Sequence, residues 1–335
     1  MICNILFIVR IDAAVKGGGD LIQAKRYKKE LELNRKIKVS FAHDVTDYTL
    51  SSVTWDYVQL FNYSRIPEHH YYLDTLKYKK IGLCTIIQPG YQISKIDRVK
   101  SFIRGILSFK IINTFKVDID KTITSLDVIF YLSDKEMFYF KTIHDDLPEG
   151  IVVHNGVDRV TETKKNINKY DFIVVGRIEK GKNSIRILDF VAKNYPDKSL
   201  IFVGAVNKFH IFFYLKFLFS IVRHKNIRYF GFMNRDRTLH LISQSEILLN
   251  LSLKEVSPLV DLEGISCGTK ILTTKQSFTH LVNDNDVVFA SPYNYSEWSP
   301  AIDFLVDSPK ESNCQARAWS DCLKDYVVAI ERLTL

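Results

Sequence analysis

Apolar residues along this chain gather in short runs, each closed by glycine, proline or a polar turn, with longer amphipathic stretches between them. In the first half the runs fall at Ile2–Val9, Lys38–Ala42, Tyr57–Phe61, Ile81–Ile87, Val128–Leu132 and Ile151–Val153, with a glycine loop at Gly17-Gly18-Gly19 and a helix predicted from Asp20 to Arg35. A polar stretch without any apolar run, Thr161 to Lys169, interrupts the pattern and reads as a linker. Beyond it the alternation restarts with Phe172–Val175, a helix near Ser184–Lys193, then Leu200–Val203, Ile227–Phe230, Ile247–Leu251, Ile271–Thr274 and Val287–Phe289. Strands alternating with helices predict an α/β protein with parallel, doubly wound sheets. The restart predicts two such domains facing each other across a cleft, residues 1–160 and 170–318, joined by 161–169, with a C-terminal helix over 319–335 packing back on the first. Ligands in such sheets bind beyond the carboxyl ends of the strands, so the segments that follow each apolar run are where chemistry is sought.

Length agrees with that division, since 335 residues exceed one ordinary core and suit two domains of about 150 residues each. The 46% apolar and 13% aromatic content belongs to packed domains rather than disorder. Five cysteines (Cys3, Cys84, Cys267, Cys314 and Cys322) are scattered, odd in number and without CxxC spacing, which points away from a disulfide framework or zinc site and towards a reducing, cytoplasmic compartment. Met1–Val9 lacks the basic start and the cleavage site of a secretory signal and is cut short by Arg10 and Asp12, so it reads as the first buried strand.

The net charge of +8 is unevenly spread, with no Asp or Glu from Lys198 to Arg235. Inside that window Phe209–Val222 is apolar and aromatic, flanked by Lys208, Arg223 and Lys225. It falls short of the roughly 20 residues of a bilayer span but suits the interface of an anionic membrane, aromatic side down. A second such stretch, Lys95–Lys116, interleaves Phe102, Ile103, Ile106, Leu107, Phe109, Ile111 and Ile112 with Arg98, Lys100, Arg104 and Lys110. Either stretch alone reads equally as a buried helix with snorkelling lysines. The two together predict a peripheral position at the inner face of a membrane through 95–116 and 208–225. No helix-turn-helix, zinc finger or RNP-like motif accompanies the charge, so nucleic acid is not an expected partner.

Two glutamates, Glu255 and Glu263, stand where the run Ile247–Ser252 gives way to a helix predicted to open at Ser257-Pro258. Ser257 is a good N-cap, and Pro258 suits the first helical position because its missing N–H would lack a partner there. Leu259 and Val260 then present N–H groups at the positive end of the helix dipole, an anion site. Glu255 lies in the loop before that site and Glu263 about one and a half turns into the helix, so one carboxylate faces a ligand's far end and the other its near hydroxyls. A phosphate flanked by sugars fits; the plainer alternative is a loop acid and a solvated helix acid. After Phe172–Val175 comes Gly176-Arg177-Ile178-Glu179-Lys180-Gly181-Lys182-Asn183, where a glycine turn carries Arg177 and then Lys182 to a strand's carboxyl end. Arginine bridges two phosphate oxygens with its fork, and lysine supplies a mobile point charge. Asp118-Ile119-Asp120 and Asp284-Asn285-Asp286 look like metal-binding DxD motifs but follow no convincing buried strand and read as turns.

Gly176 to Asn183, with Glu255-Val256-Ser257-Pro258-Leu259-Val260-Asp261-Leu262-Glu263-Gly264 and Cys267-Gly268, resembles the donor site of family 4 glycosyltransferases, retaining enzymes of the GT-B fold. Gly17–Gly19, Asn155-Gly156-Val157-Asp158 at the domain junction and Phe230-Gly231-Phe232 extend the resemblance over most of the chain, the C-terminal half being the more specific. It implies two Rossmann-like domains and a nucleotide-sugar donor. Arg177 and Lys182 match the pair that holds the donor diphosphate, Glu255 the acid facing the transferred sugar, and Glu263 the acid that binds the ribose. Leu259 and Val260 N–H groups would complete the phosphate cradle, with Gly17, Gly18, Gly19, Gly176, Asn183, Phe232, Ser257 and Pro258 around the donor. The two cations neutralise charge that grows on the leaving diphosphate, so the reaction needs no metal and no cofactor. Many members carry a histidine at the end of an N-terminal strand near the sugar; this chain has Gln88 there, with His69 and His70 the nearest replacements and loop histidines the alternative reading.

The implied activity is transfer of a sugar to a saccharide acceptor, lipid-linked if the membrane expectation holds, in cell-surface polysaccharide or glycolipid synthesis. A competing reading is an inactive GT-B-shaped subunit that partners another transferase, against which Arg177, Lys182, Glu255 and Glu263 stand together. A nucleotide-dependent oxidoreductase is set aside because Lys16-Gly17-Gly18-Gly19-Asp20 lacks GxGxxG spacing.

Overall fold

The computed structural model of the chain describes residues 2–12, 18–108, 110, 114–158, 169–206, 211–309 and 316–335. They divide into two compact units, Met1–Asn155 with Trp319–Leu335, and Gly156–Ala318. Gly17, residues 161–168 of the expected linker, Lys208, Phe209, Phe109, Ile111, Ile112 and Cys314 lie outside the described residues.

In the first unit the chain runs β1 (Cys3–Ile8), α1 (Gly19–Leu31), β2 (Ile37–Phe41), α2 (Asp47–Ser52), β3 (Thr54–Phe61), α3 (Ile66–Leu73), β4 (Lys77–Cys84), α4 (Lys95–Leu107), α5 (Ile119–Thr124), β5 (Val128–Tyr131), α6 (Asp134–Lys141) and β6 (Glu149–Val152). The second unit runs β7 (Tyr170–Val175), α7 (Ser184–Asn194), β8 (Leu200–Val203), α8 (Ile211–Ile221), β9 (Ile227–Tyr229), α9 (Arg235–Ser243), β10 (Ser245–Asn250), α10 (Leu259–Ser266), β11 (Lys270–Thr274), β12 (Val287–Ala290) and α11 (Trp298–Asp307). The chain then returns to the first unit as α12 (Trp319–Cys322) and α13 (Lys324–Thr334).

Each unit holds one six-stranded sheet, in the orders β2-β1-β3-β4-β5-β6 and β12-β11-β10-β7-β8-β9, and every strand pairing is parallel. The apolar runs suit this arrangement because helices cover both faces of the sheets; Leu6, Ile8, Val58, Leu60, Ile129 and Tyr131 fill one cluster of the first unit, and Phe172, Val174, Phe202, Ile247 and Leu249 one of the second. Strand order reverses between β1 and β3 in the first sheet and between β7 and β10 in the second. Such switch points leave a crevice at the strands' carboxyl ends.

Two predicted elements end early. α1 stops at Leu31 rather than Arg35, and the run Ile81–Ile87 is paired only to Cys84, because Ile86 takes φ +44° and leaves the extended conformation. α4 departs from the usual amphipathic helix in a more consequential way. Its buried residues are Ser101 and Gly105, while Ile96, Val99, Ile103, Ile106 and Leu107 are exposed, Leu107 by 67%. The polar side faces inward because Glu68 of α3, only 1% exposed, draws it there: Arg104 Nε donates to Glu68 at 2.6 Å, Ser101 Oγ at 3.3 Å, and Arg65 Nη1 at 3.1 Å. α8 packs Phe217 against Phe202, yet leaves Ile211, Phe212, Leu215 and Phe219 exposed along one side, Phe212 by 84%.

Candidate functional site

The second sheet's reversal brings two loops side by side. Gly176 closes β7 at φ +152°, and its carbonyl lies where a Cβ on Gly204, which follows β8, would meet it at 1.9 Å, so only glycine fits that approach. A single 3₁₀ turn, Lys180–Lys182, follows, and Asn183 (φ +57°) begins α7. The neighbouring loop after β10 is tied to it by the Leu253 N–H donating to the Gly181 carbonyl at 2.9 Å and to the far side by Glu255 N–H donating to the Gln276 carbonyl at 2.8 Å. Lys182 Nζ thereby donates directly to Glu255 Oε1. Arg177 leans outward, 61% exposed, and pairs with Glu179 at 3.2 Å.

α10 begins at Leu259 with Pro258 as its N-cap, one residue later than the Ser257 N-cap and Pro258 first-turn position read from the pattern, and Pro258 offers no side chain to cap with. The Leu259 and Val260 N–H groups have no preceding helical carbonyl to bond, while the Asp261 N–H donates to the Pro258 carbonyl at 3.2 Å. Asn183, expected at the donor, places its amide instead in the framework: Nδ2 donates to the Leu251 and Pro292 carbonyls, each at 3.0 Å, tying three strand ends together.

Beneath the turn lies a residue the sequence reading passed over. Asp261 is fully buried and accepts from Asn250 Nδ2 at 2.8 Å and Thr273 Oγ1 at 2.6 Å, while Ser252 Oγ donates to Asn250 Oδ1 at 2.7 Å. Burial pushes the Asp261 carboxyl up to about 7, Glu255 adding to the rise and Lys182 opposing it. Two residues on, Glu263 meets Arg235 of α9, Nη2 to Oε1 at 2.9 Å, and burial is again the largest cause raising its carboxyl. Arg235 was also unforeseen, its signal being only its place three residues after Phe232, which is exposed.

The acceptor-side candidates scatter. His69 and His70 lie on α3 rather than in a loop, and His69 is fully buried, its ring nitrogens without a hydrogen-bond partner among the described residues, with its pKa lowered by desolvation to about 3. His70 is partly exposed and engages Thr122 Oγ1 at 3.0 Å and Asp74 Oδ1 at 3.2 Å; Gln88, beyond β4, is exposed. At the first sheet's reversal, Gly18 precedes α1 at φ +159°, Gly19 opens the helix, and Arg10 pairs with Asp20 at 3.2 Å. Of the two DxD-like segments read as turns, Asp118-Ile119-Asp120 is instead the start of a helix, with Asp118 as the N-cap of α5, while in the second Asp284 Oδ1 accepts from the N–H groups of Asp286 and Val287. Among the described residues no group of three or more His, Cys, Asp or Glu side chains is placed to hold a metal ion.

Residues 159–318 match the family model for glycosyl transferases group 1. No curated protein matches the chain. Among solved structures it is similar to sucrose-phosphate synthase (tll1590) from Thermosynechococcus elongatus, with 11% identity, coverage of 99% of this chain and 96% of that one, and a TM-score of 0.71. It is similar to Anabaena Alr3699/HepE in complex with UDP and glucose, with 12% identity, 98% and 99% coverage and a TM-score of 0.70. It is also similar to the E. coli trehalose-6-phosphate protein bound with UDP-2-fluoro glucose, with 9% identity, 99% coverage of both chains and a TM-score of 0.64. These likenesses establish the fold as GT-B, with its two parallel α/β sheets.

Proposed function

We propose that the chain is a retaining, metal-independent glycosyltransferase that moves a sugar from a nucleotide-sugar donor to a saccharide acceptor carried on a lipid. The observation that carries this reading is the convergence of Lys182, Glu255, the first turn of α10 and Glu263 at the β7/β10 switch point, within the segment that matches the group 1 glycosyl transferases. A diphosphate laid on that turn takes hydrogen bonds from the first N–H groups and charge from Lys182 and Arg177. The Lys182 ammonium is held by Glu255, so an anion that displaces the carboxylate meets a cation already in position. Charge that grows on the leaving diphosphate is then stabilised more than charge in the ground state. Glu255, released, is left at the sugar end, where it binds sugar hydroxyls, and Glu263 accepts from the ribose. Retention follows if the leaving phosphate itself takes the acceptor's proton on the same face; neither His69 nor His70 is then needed as base. UDP-sugars are the first donors to test, since two of the similar structures hold UDP with glucose or a fluoroglucose.

α4 and α8 support a lipid-borne acceptor. Each exposes an apolar stripe, edged by Lys95 and Lys100 on α4 and by Arg223, which stands over the Phe219 ring, beyond α8. No helix among the described residues is long and apolar enough to cross a membrane. A stripe of this kind suits the interface of an anionic bilayer, at the cytoplasmic face, where each large side chain gains up to about 1.5–3 kcal/mol on leaving water.

The test is incubation of the purified protein with UDP-, GDP-, ADP- and CMP-sugars, followed for slow donor hydrolysis. Lys182→Ala, Arg177→Ala and Glu255→Ala should each cut turnover by about 10²–10³-fold with unchanged unfolding midpoints, the range expected for loss of one charge-stabilising group. Full activity in all three variants would place the site elsewhere.

A further inference from the structure

Glu263 is held by a guanidinium that the donor reading does not use. Arg235 is the first residue of α9, directly after the N-cap Asn234, whose side chain accepts from the Arg237 N–H. Its Nη2 stands 2.9 Å from Glu263 Oε1 and 3.3 Å from Asp158 Oδ2. The three side chains are 32%, 17% and 38% exposed for Arg235, Glu263 and Asp158, so the group sits at the rim of the site, with Glu263 the deepest. α9 and α10 follow β9 and β10, and the loop Phe230–Asn234 that delivers Arg235 is one of the strand-end loops of the same sheet.

We propose that Arg235 is a positioning residue of the donor site that makes it select ribonucleotides: it holds Glu263 ionised and turned so that its second oxygen accepts from the ribose hydroxyls. The proposal rests on Glu263 being the ribose acid. A vicinal diol offers two O–H donors, and only an ionised carboxylate presents acceptors alone; a protonated one turns a donor towards them. Left to its burial, Glu263 is pushed towards the protonated form, and Asp158 pushes the same way; Arg235 is the group that opposes both. Cys267, farther along α10, stays a neutral thiol, its pKa pushed up to about 11 by burial and by Glu263 itself. Arg235 occupies Oε1 and leaves Oε2 for the ligand. Asp158 engages the same Nη2 at 3.3 Å, a second anchor that holds the guanidinium beside Glu263.

A plain surface ion pair would stabilise the fold slightly and discriminate nothing. The experiment therefore measures discrimination. UDP, GDP, ADP and CMP are titrated into the wild type; for the one that binds, it and its 2′,3′-dideoxy counterpart are titrated into wild type, Arg235→Gln and Arg235→Lys near pH 6 and near pH 8.5. A hydrogen bond to a charged group is worth enough that Arg235→Gln should weaken the ribonucleotide about tenfold while leaving the dideoxy compound unchanged. The loss should be greater near pH 6 than near pH 8.5, because without Arg235 burial and Asp158 push Glu263 unopposed towards its protonated form, and Arg235→Lys should recover most of it. Equal weakening of both nucleotides, or no change in either, overturns the role of Arg235 while leaving the donor site standing. Failure of all three nucleoside diphosphates, and of CMP, to bind the wild type instead overturns the donor reading itself.

Discussion

Asp261 carries a carboxyl group into the interior directly beneath the first turn of α10, where a phosphate is proposed to sit. Its two oxygens are each claimed, by Asn250 and Thr273, and burial still raises it from 3.8 to about 7. Because the folded value lies above the unfolded one, the stability this group contributes is fully present below about pH 3.8 and is lost as pH rises through about 7. Asparagine at 261 keeps an oxygen for Asn250 and turns an N–H to the Thr273 hydroxyl, without a charge to desolvate. Asp261→Asn should therefore melt higher than the wild type by more near pH 8 than near pH 5, where only part of the contribution has been lost, as thermal unfolding at the two values will measure. A shift of the same size at both would show that ionisation at 261 is not what costs stability. Asp261 was visible in the sequence only as a charge inside Leu259–Leu262, and a charge in a helix reads by default as a solvated face. What buries it are partners on β10 and β11, whose pairing is a tertiary fact that no local pattern carries.

At the scale of elements, the hydrophobic runs located nearly every strand to within two or three residues, because a buried parallel strand needs apolar side chains on both faces and says so locally. The helices were harder. That Lys95–Lys116 and Phe209–Val222 contain helices was legible in their composition; which side of α4 faces inward was not, since it is decided by Glu68, an acid on α3 buried among Arg65, Arg104 and Ser101. The resulting stripe makes opposite predictions for stability and binding. Ile103→Asp with Ile106→Asp should lower the unfolding midpoint only slightly, since both side chains are already 49% exposed, and should abolish sedimentation with anionic vesicles. Phe212→Ser with Phe219→Ser on α8 should behave alike. A large fall in stability with unchanged sedimentation would mean that these faces are covered by something other than lipid.

The molecule as a whole is two sheets, each with its own reversal, and the last residues belong to the first of them. Tyr326 of α13 is fully buried against Tyr27, ring centroids 4.4 Å apart, and Phe130, 4.7 Å apart, and Leu323 and Ile330 are buried beside it. Removing several large apolar side chains from one core costs about 2–5 kcal/mol each. A chain ending at Ala318 should therefore lose the cooperative unfolding of the first unit, seen as rapid cleavage within residues 1–155 in limited proteolysis; full resistance there would show that α12 and α13 are dispensable. The alternation of strands and helices announced both sheets, and the turn residues Gly176 and Pro258 announced the loops at the second reversal. Strand order, and with it the meeting of Lys182 with Glu255 and of Arg235 with Glu263, depends on contacts distant in the chain and emerged only from the fold. The central claim is that this meeting place is a nucleotide-sugar site. It is tested most directly by following donor hydrolysis for UDP-, GDP-, ADP- and CMP-sugars with the wild type and Lys182→Ala. The account predicts that one donor is cleaved by the wild type and that Lys182→Ala, equally stable, cleaves it at least about 100-fold more slowly; absence of cleavage with every donor, or equal rates in the two proteins, would contradict it.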